Sequence, residues 1–128
     1  MAVATENIKI LEKLFVDILG MDSSDKEYVV SEKVNVLKVY SERKGTVIEL
    51  LEASNKDSAI EKYINNKGQG IHHIALNVDN ILNAIDYLKN NDIELVYEKP
   101  NLGANNKLIT FIHPKSSPGM LIELCQKV

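Results

Sequence analysis

The chain has 128 residues, of which 45% are hydrophobic, and its net charge of −3 is spread along the sequence. This length and composition fit one folded domain and exclude a disordered chain. The charges are dispersed along the sequence, so they do not indicate a surface that binds nucleic acid. No apolar run reaches the ~20 residues of a membrane span, we expect no signal peptide, and the single cysteine predicts no disulfide framework. We therefore expect a cytoplasmic protein that contacts neither nucleic acid nor membrane.

Helix and strand patterns follow one another in a similar order twice along the chain. Apolar residues at helical spacing predict a first helix over residues 8–18, with Thr5 as its cap and Gly20 as its end. Ser58 and Glu61 form a capping box, which predicts a second helix that begins at Ser58. A third helix is predicted from Ile81, Leu82, Ile85 and Leu88. Strands are predicted over residues 34–40, 46–52, 71–78, 94–97, 108–112 and 120–126.

The two halves also share residues at a fixed offset of 74. Residues 45–50 and 119–124 have glycine, isoleucine, glutamate and leucine at matching positions, and three aliphatic positions of the first and third helices match as well. Self-similarity at one offset over several elements indicates a structural repeat. We predict a single α+β domain over residues 1–128, built from two βαβββ modules over about 1–66 and 67–128 that share one site.

Three side chains are candidates for a metal site. Alternation places His73 on the side of its strand that has the smaller neighbours, and it gives Glu49 and Glu123 equivalent positions in the repeat. A glutamate between aliphatic neighbours is costly unless it is paired or bound to a cation, so these residues predict a divalent metal held by nitrogen and oxygen ligands. Exposure on an open sheet face is the alternative that the alternation leaves open. The other side of the strand is expected to pack under helices: His72, Ile74, Leu76 and Val78.

Residues 68–75 and 113–126, together with 57–60 and the turn at 100–103, resemble the methylmalonyl-CoA epimerase family of the vicinal-oxygen-chelate (glyoxalase-like) superfamily. The resemblance covers nearly the whole chain in the family's order. It implies a concave mixed sheet, inversion at C2 of methylmalonyl-CoA through an enolate, an acyl-CoA thioester as partner, and a homodimer. It also implies a divalent metal, cobalt or manganese ahead of zinc, nickel or magnesium, with His73, Glu123 and Glu49 as ligands and Glu123 as the catalytic candidate.

The chain departs from the family at its start. Family members open with a strand whose histidine is a further metal ligand, whereas Met1-Ala2-Val3 matches only the end of that strand, so we expect a truncated first strand without that ligand. A second departure is Val36, at the position where some members have an acid or base. Two alternatives to an epimerase therefore stand, a glyoxalase I-type lyase and a non-catalytic, truncated binding module.

Overall fold

The computed structural model describes residues 1–41 and 45–128, and their contacts divide the chain into a first unit, Met1–His72, and a second unit, His73–Val128. The module boundary predicted near residue 66 comes before this division, and the single-domain arrangement stays a prediction. Each unit combines helices with a sheet of parallel and antiparallel strands, which confirms the α+β class. None of the helices in the described ranges is both long and apolar enough to cross a membrane.

The first unit contains five strands and two helices. The strands are β1 (Ala2–Ala4), β2 (Asp22–Ser23), β3 (Glu27–Val29), β4 (Val34–Tyr40) and β5 (Val47–Ala53). The helices are α1 (Ile8–Glu12), which continues as a π-helix over Lys13–Ile18, and α2 (Ala59–Lys67). The strands follow the order β2-β4-β5-β1, with β3 also paired to β4, and β1 runs parallel to β5.

The first helix begins at a different cap from the predicted one. The side chain of Asn7 accepts a hydrogen bond from the Lys9 N–H at 3.0 Å, so Asn7 is the cap and the prediction of Thr5 is wrong. Thr5 instead extends the pairing of β1 with β5, because its N–H donates to the Leu51 carbonyl at 2.9 Å. Gly20 ends the helical segment as predicted, with a φ of 73° that glycine adopts without strain.

Helices pack on both faces of the first unit's sheet. One cluster joins α1 and the π-helix to one face: Ile8, Leu37, Val39 and Leu50, with Leu11, Phe15 and Ile48 beside them. Another cluster joins α2 to the opposite face: Ala2, Ala4, Val34, Val36, Leu51, Ile60 and Ile64. Ser58 caps α2 as predicted, since its side chain accepts from the Ile60 N–H at 3.2 Å. Both faces of β5 are therefore fixed by helices.

The second unit follows a βαβββ order, as predicted. Its strands are β6 (Gly70–Asn77, which begins in the first unit), β7 (Asn101–Leu102), β8 (Lys107–Ile112) and β9 (Ile122–Lys127). Its helix is α3 (Ile81–Asn90), and a short 3-10 turn spans Ala104–Asn106. The strand order is β6-β9-β8-β7, with β6 parallel to β9. Ile81 and Ile85 of α3 are buried, and α3 contacts β8 and β9.

Two predictions for the second unit are wrong. Residues 94–97 form no strand but one isolated bridge, between Leu95 and Ile112, flanked by two backbone hydrogen bonds of 2.8 Å, from the Val96 N–H to the Phe111 carbonyl and from the His113 N–H to the Glu94 carbonyl. The Tyr97 carbonyl accepts from the Thr110 hydroxyl at 2.8 Å. The apolar side of β6 is not covered, since Ile74 is 38% and Leu76 is 49% exposed. Helix α3 lies against β8 and β9, which leaves these β6 side chains accessible.

Candidate functional site

His73 and Glu123 form a close pair on one face of the second unit. The parallel register of β6 and β9 sets Ala75 opposite Glu123, and His73, two residues before Ala75, shares that face. The His73 Nε2 lies 3.3 Å from the Glu123 Oε2, and the two side chains are only 8% and 15% exposed. The predicted common face of these two residues is therefore confirmed.

Aromatic rings border this pair. Phe111 of β8 pairs directly with Glu123, and its ring meets the His73 ring edge-on at 5.7 Å between centroids. The Tyr97 ring lies edge-on to Phe111 at 6.3 Å. Rings in this position limit the access of water to the pair, and a lower local dielectric strengthens its electrostatic interactions.

Cys125 continues the same face of β9, two residues after Glu123. Its buried Sγ lies 3.2 Å from the Asn77 Oδ1, which fits a thiol that donates a weak hydrogen bond. The buried thiol agrees with the apolar surroundings that the sequence indicates.

The His73–Glu123 pair has donor types and a separation that suit a metal. When ligands bind an ion at about 2.0–2.2 Å, two neighbouring donor atoms lie about 3.0–3.5 Å apart. The observed 3.3 Å falls in that range, and one nitrogen with one carboxylate oxygen is a common donor set. Among the residues described, no three histidine, cysteine or acidic side chains lie close enough together to hold an ion.

Glu49, the third predicted ligand, belongs to the first unit. It lies on β5 opposite Lys38 of β4, and its Oε1 is 3.8 Å from the Lys38 Nζ. Its convergence with the other two residues stays a prediction. Val36 is buried in the cluster under α2, so this position offers no acid or base.

Two residues that the sequence analysis missed connect β5 and β9 each to a helix of its own unit. The Glu52 Oε2 accepts from the Ile8 N–H at 2.7 Å, and the Gln126 Oε1 accepts from the Ile81 N–H at 2.8 Å. Each lies three residues after a candidate glutamate and so points to the opposite face of its strand. The sequence contains one signal for these two residues: the offset of 74 also relates Glu52 to Gln126.

The residues that precede His73 are held by α2. The Tyr63 hydroxyl donates to the Ile71 carbonyl at 2.8 Å, and its ring stacks edge-on against His72 at 4.7 Å between centroids. Burial lowers the pKa of His72, and the positive charge of Lys67 lowers this pKa further. His72 is therefore held as a neutral packing residue at neutral pH.

Comparison with known proteins agrees with this arrangement. Residues 1–111 match the model of the glyoxalase/bleomycin resistance protein/dioxygenase superfamily. The mitochondrial methylmalonyl-CoA epimerase of Dictyostelium discoideum is 36% identical over 127 residues, which are 98% of this chain and 75% of that protein. The uncharacterized protein YqjC of Bacillus subtilis is 32% identical over 97% of this chain and 87% of its own length. The solved methylmalonyl-CoA epimerase of Mycobacterium tuberculosis superposes with a TM-score of 0.93 at 27% identity, covering 99% of this chain and 85% of that one.

Proposed function

The chain belongs to the glyoxalase/bleomycin resistance protein/dioxygenase superfamily and, within it, to the methylmalonyl-CoA epimerase family, and we propose that it inverts methylmalonyl-CoA at C2. The observation that carries this proposal is the largely buried pair of His73 and Glu123, with 3.3 Å between the ring nitrogen and the carboxylate oxygen. A carboxylate held by a histidine beside aromatic rings is suited to move a proton.

The reaction requires a proton to leave C2 and return on the other face. The C2 hydrogen lies between a thioester and a carboxylate, so its removal leaves an enolate whose charge spreads onto oxygen. Glu123 is the group that we assign to proton transfer on one face, because its carboxylate lies on the enclosed face of the second unit. Phe111 limits water at that carboxylate, and His73 fixes its orientation.

We also propose a divalent metal, cobalt or manganese ahead of zinc, nickel or magnesium. His73, Glu123 and Glu49 are the residues that would hold it. When bound, such an ion supplies positive charge to the oxygens of the thioester and carboxylate. The donor types and the separation of His73 and Glu123 support this assignment.

The acyl-CoA thioester is the proposed partner, in a homodimeric protein of the cytoplasm. A glyoxalase I-type lyase would act on a glutathione adduct instead, and a binding module would bind a thioester without changing it. Relatives named as epimerases match 98% of this chain, which favours the epimerase over both.

A chiral assay tests the proposal. The protein is incubated with one epimer of methylmalonyl-CoA and added cobalt, and the two epimers are separated and quantified over time. We expect the wild type and Glu98→Gln, a change at an exposed ion pair with Lys89, to reach an equal mixture. Glu123→Gln should be slower by about 10²–10⁴-fold, the usual contribution of a positioned acid or base. Retention of the starting epimer by the wild type would exclude the epimerase.

A further inference from the structure

Glu123 lies between a small and a large side chain of the second unit. The parallel register of β6 and β9 pairs it with Ala75, and the antiparallel register of β8 and β9 pairs it with Phe111 on its other side. Residues that pair in this way point to the same side of the sheet, and neighbouring strands lie about 4.8 Å apart. The candidate acid or base therefore has a methyl group on one side and an aromatic ring on the other.

Larger side chains surround Ala75. On its own strand and face it lies between His73 and Asn77, each two residues away. The His73 ring contacts the Phe111 ring edge-on at 5.7 Å between centroids, and the Asn77 Oδ1 lies 3.2 Å from the buried Cys125 Sγ. Ala75 itself is half-buried, so its methyl group lies at the bottom of a gap that a ligand can enter.

The substituents on C2 of methylmalonyl-CoA differ in how well they suit this gap. The methyl group is bonded to the same carbon as the proton that we assign to Glu123, so it must fit close to that carboxylate. The thioester and the free carboxylate carry oxygen atoms, which the negative charge of Glu123 repels and to which the methyl group of Ala75 offers no donor. The C2 methyl group can contact Ala75 without the loss of a hydrogen bond, and this contact removes apolar surface from water.

We propose that Ala75 contacts the C2 alkyl group of the substrate and limits that group to a methyl, an inference that rests on the proposed function. Ala75 then determines specificity, whereas Glu123 transfers the proton. An added carbon on either the protein or the ligand should exceed the space, since one methylene in a hydrophobic pocket changes discrimination by about 10–200-fold. The competing interpretation is a small side chain that only allows β6 and β9 to pack.

Thioesters with C2 substituents of increasing size separate these interpretations. Exchange of the C2 proton with D2O is followed by proton NMR for malonyl-CoA, methylmalonyl-CoA and ethylmalonyl-CoA with added cobalt, and the protein-free rate is subtracted. We expect Ala75→Val to lower kcat/KM for methylmalonyl-CoA by about 10–200-fold and to keep the value for malonyl-CoA, which has no C2 alkyl group. The control Leu76→Val changes the opposite face of β6, where Leu76 is 49% exposed, and should alter none of the three values.

A second variant protects the test against a folding defect, although valine is itself favoured in strands. Ala75→Gly removes the methyl group and should raise kcat/KM for ethylmalonyl-CoA relative to methylmalonyl-CoA by about tenfold or more. Equal changes for the three thioesters in Ala75→Val, no change in that variant, or an unaltered ratio in Ala75→Gly would overturn the role of Ala75 and leave the epimerase intact. If the wild type exchanges none of the three, the proposed function fails and the role of Ala75 fails with it.

Discussion

At the scale of single residues, the site rests on two side chains whose placement alternation could predict. His73 and Glu123 are assigned to one face from the sequence pattern, and their 3.3 Å contact follows from the parallel register of β6 and β9. Glu49 has an equally clear pattern, but no sequence rule indicated that Lys38 would lie beside it. The approach of two side chains from different strands depends on register, which local alternation does not specify.

Metal affinity should depend on the predicted ligands. We expect His73→Ala and Glu49→Gln each to weaken cobalt or manganese binding by more than about tenfold, since groups that only orient a ligand are already worth about 10–100-fold. Calorimetry on untagged protein gives the constants, with His113→Ala as the histidine control. The His113 Nδ1 accepts from the Lys115 N–H in a turn, so its loss should leave the affinity unchanged. Unaltered binding by Glu49→Gln would remove Glu49 from the ligand set.

The lowered pKa of His72 predicts a pH dependence of stability. Because burial, and then Lys67, lower this pKa from its ordinary 6.5, the unfolded chain takes up the proton more readily than the folded chain. The contribution of His72 is therefore complete above about pH 6.5 and declines as the pH falls below it. Urea unfolding at several pH values should show the difference in unfolding free energy between wild type and His72→Phe shrinking from pH 7.5 to 5. A constant difference would contradict the shift.

At the scale of elements, helix positions were predictable and their anchoring was not. The helical patterns placed α1, α2 and α3 correctly, and Ile8, Ile60 and Ile85 are buried, whereas Ile18 and Leu82 are exposed. The segment over 94–97 has the pattern of a strand, but it forms a single bridge, between Leu95 and Ile112, and the Tyr97 carbonyl accepts from the Thr110 side chain. The caps supplied by Glu52 and Gln126 come from strands distant in sequence, so no local capping rule could show them.

These long-range caps should contribute measurably to stability. Glu52→Ala or Gln126→Ala leaves the Ile8 or Ile81 amide without its acceptor, which should lower the unfolding free energy by about 1–3 kcal/mol. Urea titration measures the loss, and hydrogen exchange should speed up at the Ile8 amide in one variant and the Ile81 amide in the other. Glu98→Ala, at an exposed ion pair, is the control and should stay within about 0.5 kcal/mol. Unchanged exchange at both amides would show that the caps contribute nothing.

At the scale of the whole molecule, the repeat carries most of what the sequence reveals. The offset of 74 predicts two modules with equivalent glutamates, and this arrangement stays a prediction. The exposure of the apolar side of β6 could not be predicted from the sequence. An apolar strand face indicates burial, but it does not indicate which element covers that face. The difference between Lys38 and Phe111 shows where the two modules have diverged in chemistry.

Exchange of the C2 proton with solvent tests the central claim most directly. Methylmalonyl-CoA in D2O with added cobalt is followed by proton NMR with wild type, Glu123→Gln and Glu98→Gln. With the wild type and Glu98→Gln, deuterium should replace the C2 proton far faster than in the protein-free solution. With Glu123→Gln, the exchange rate should be about 10²–10⁴-fold lower than with the wild type. A wild-type rate equal to that of the protein-free solution, or full exchange by Glu123→Gln, would contradict proton transfer by Glu123 at this site.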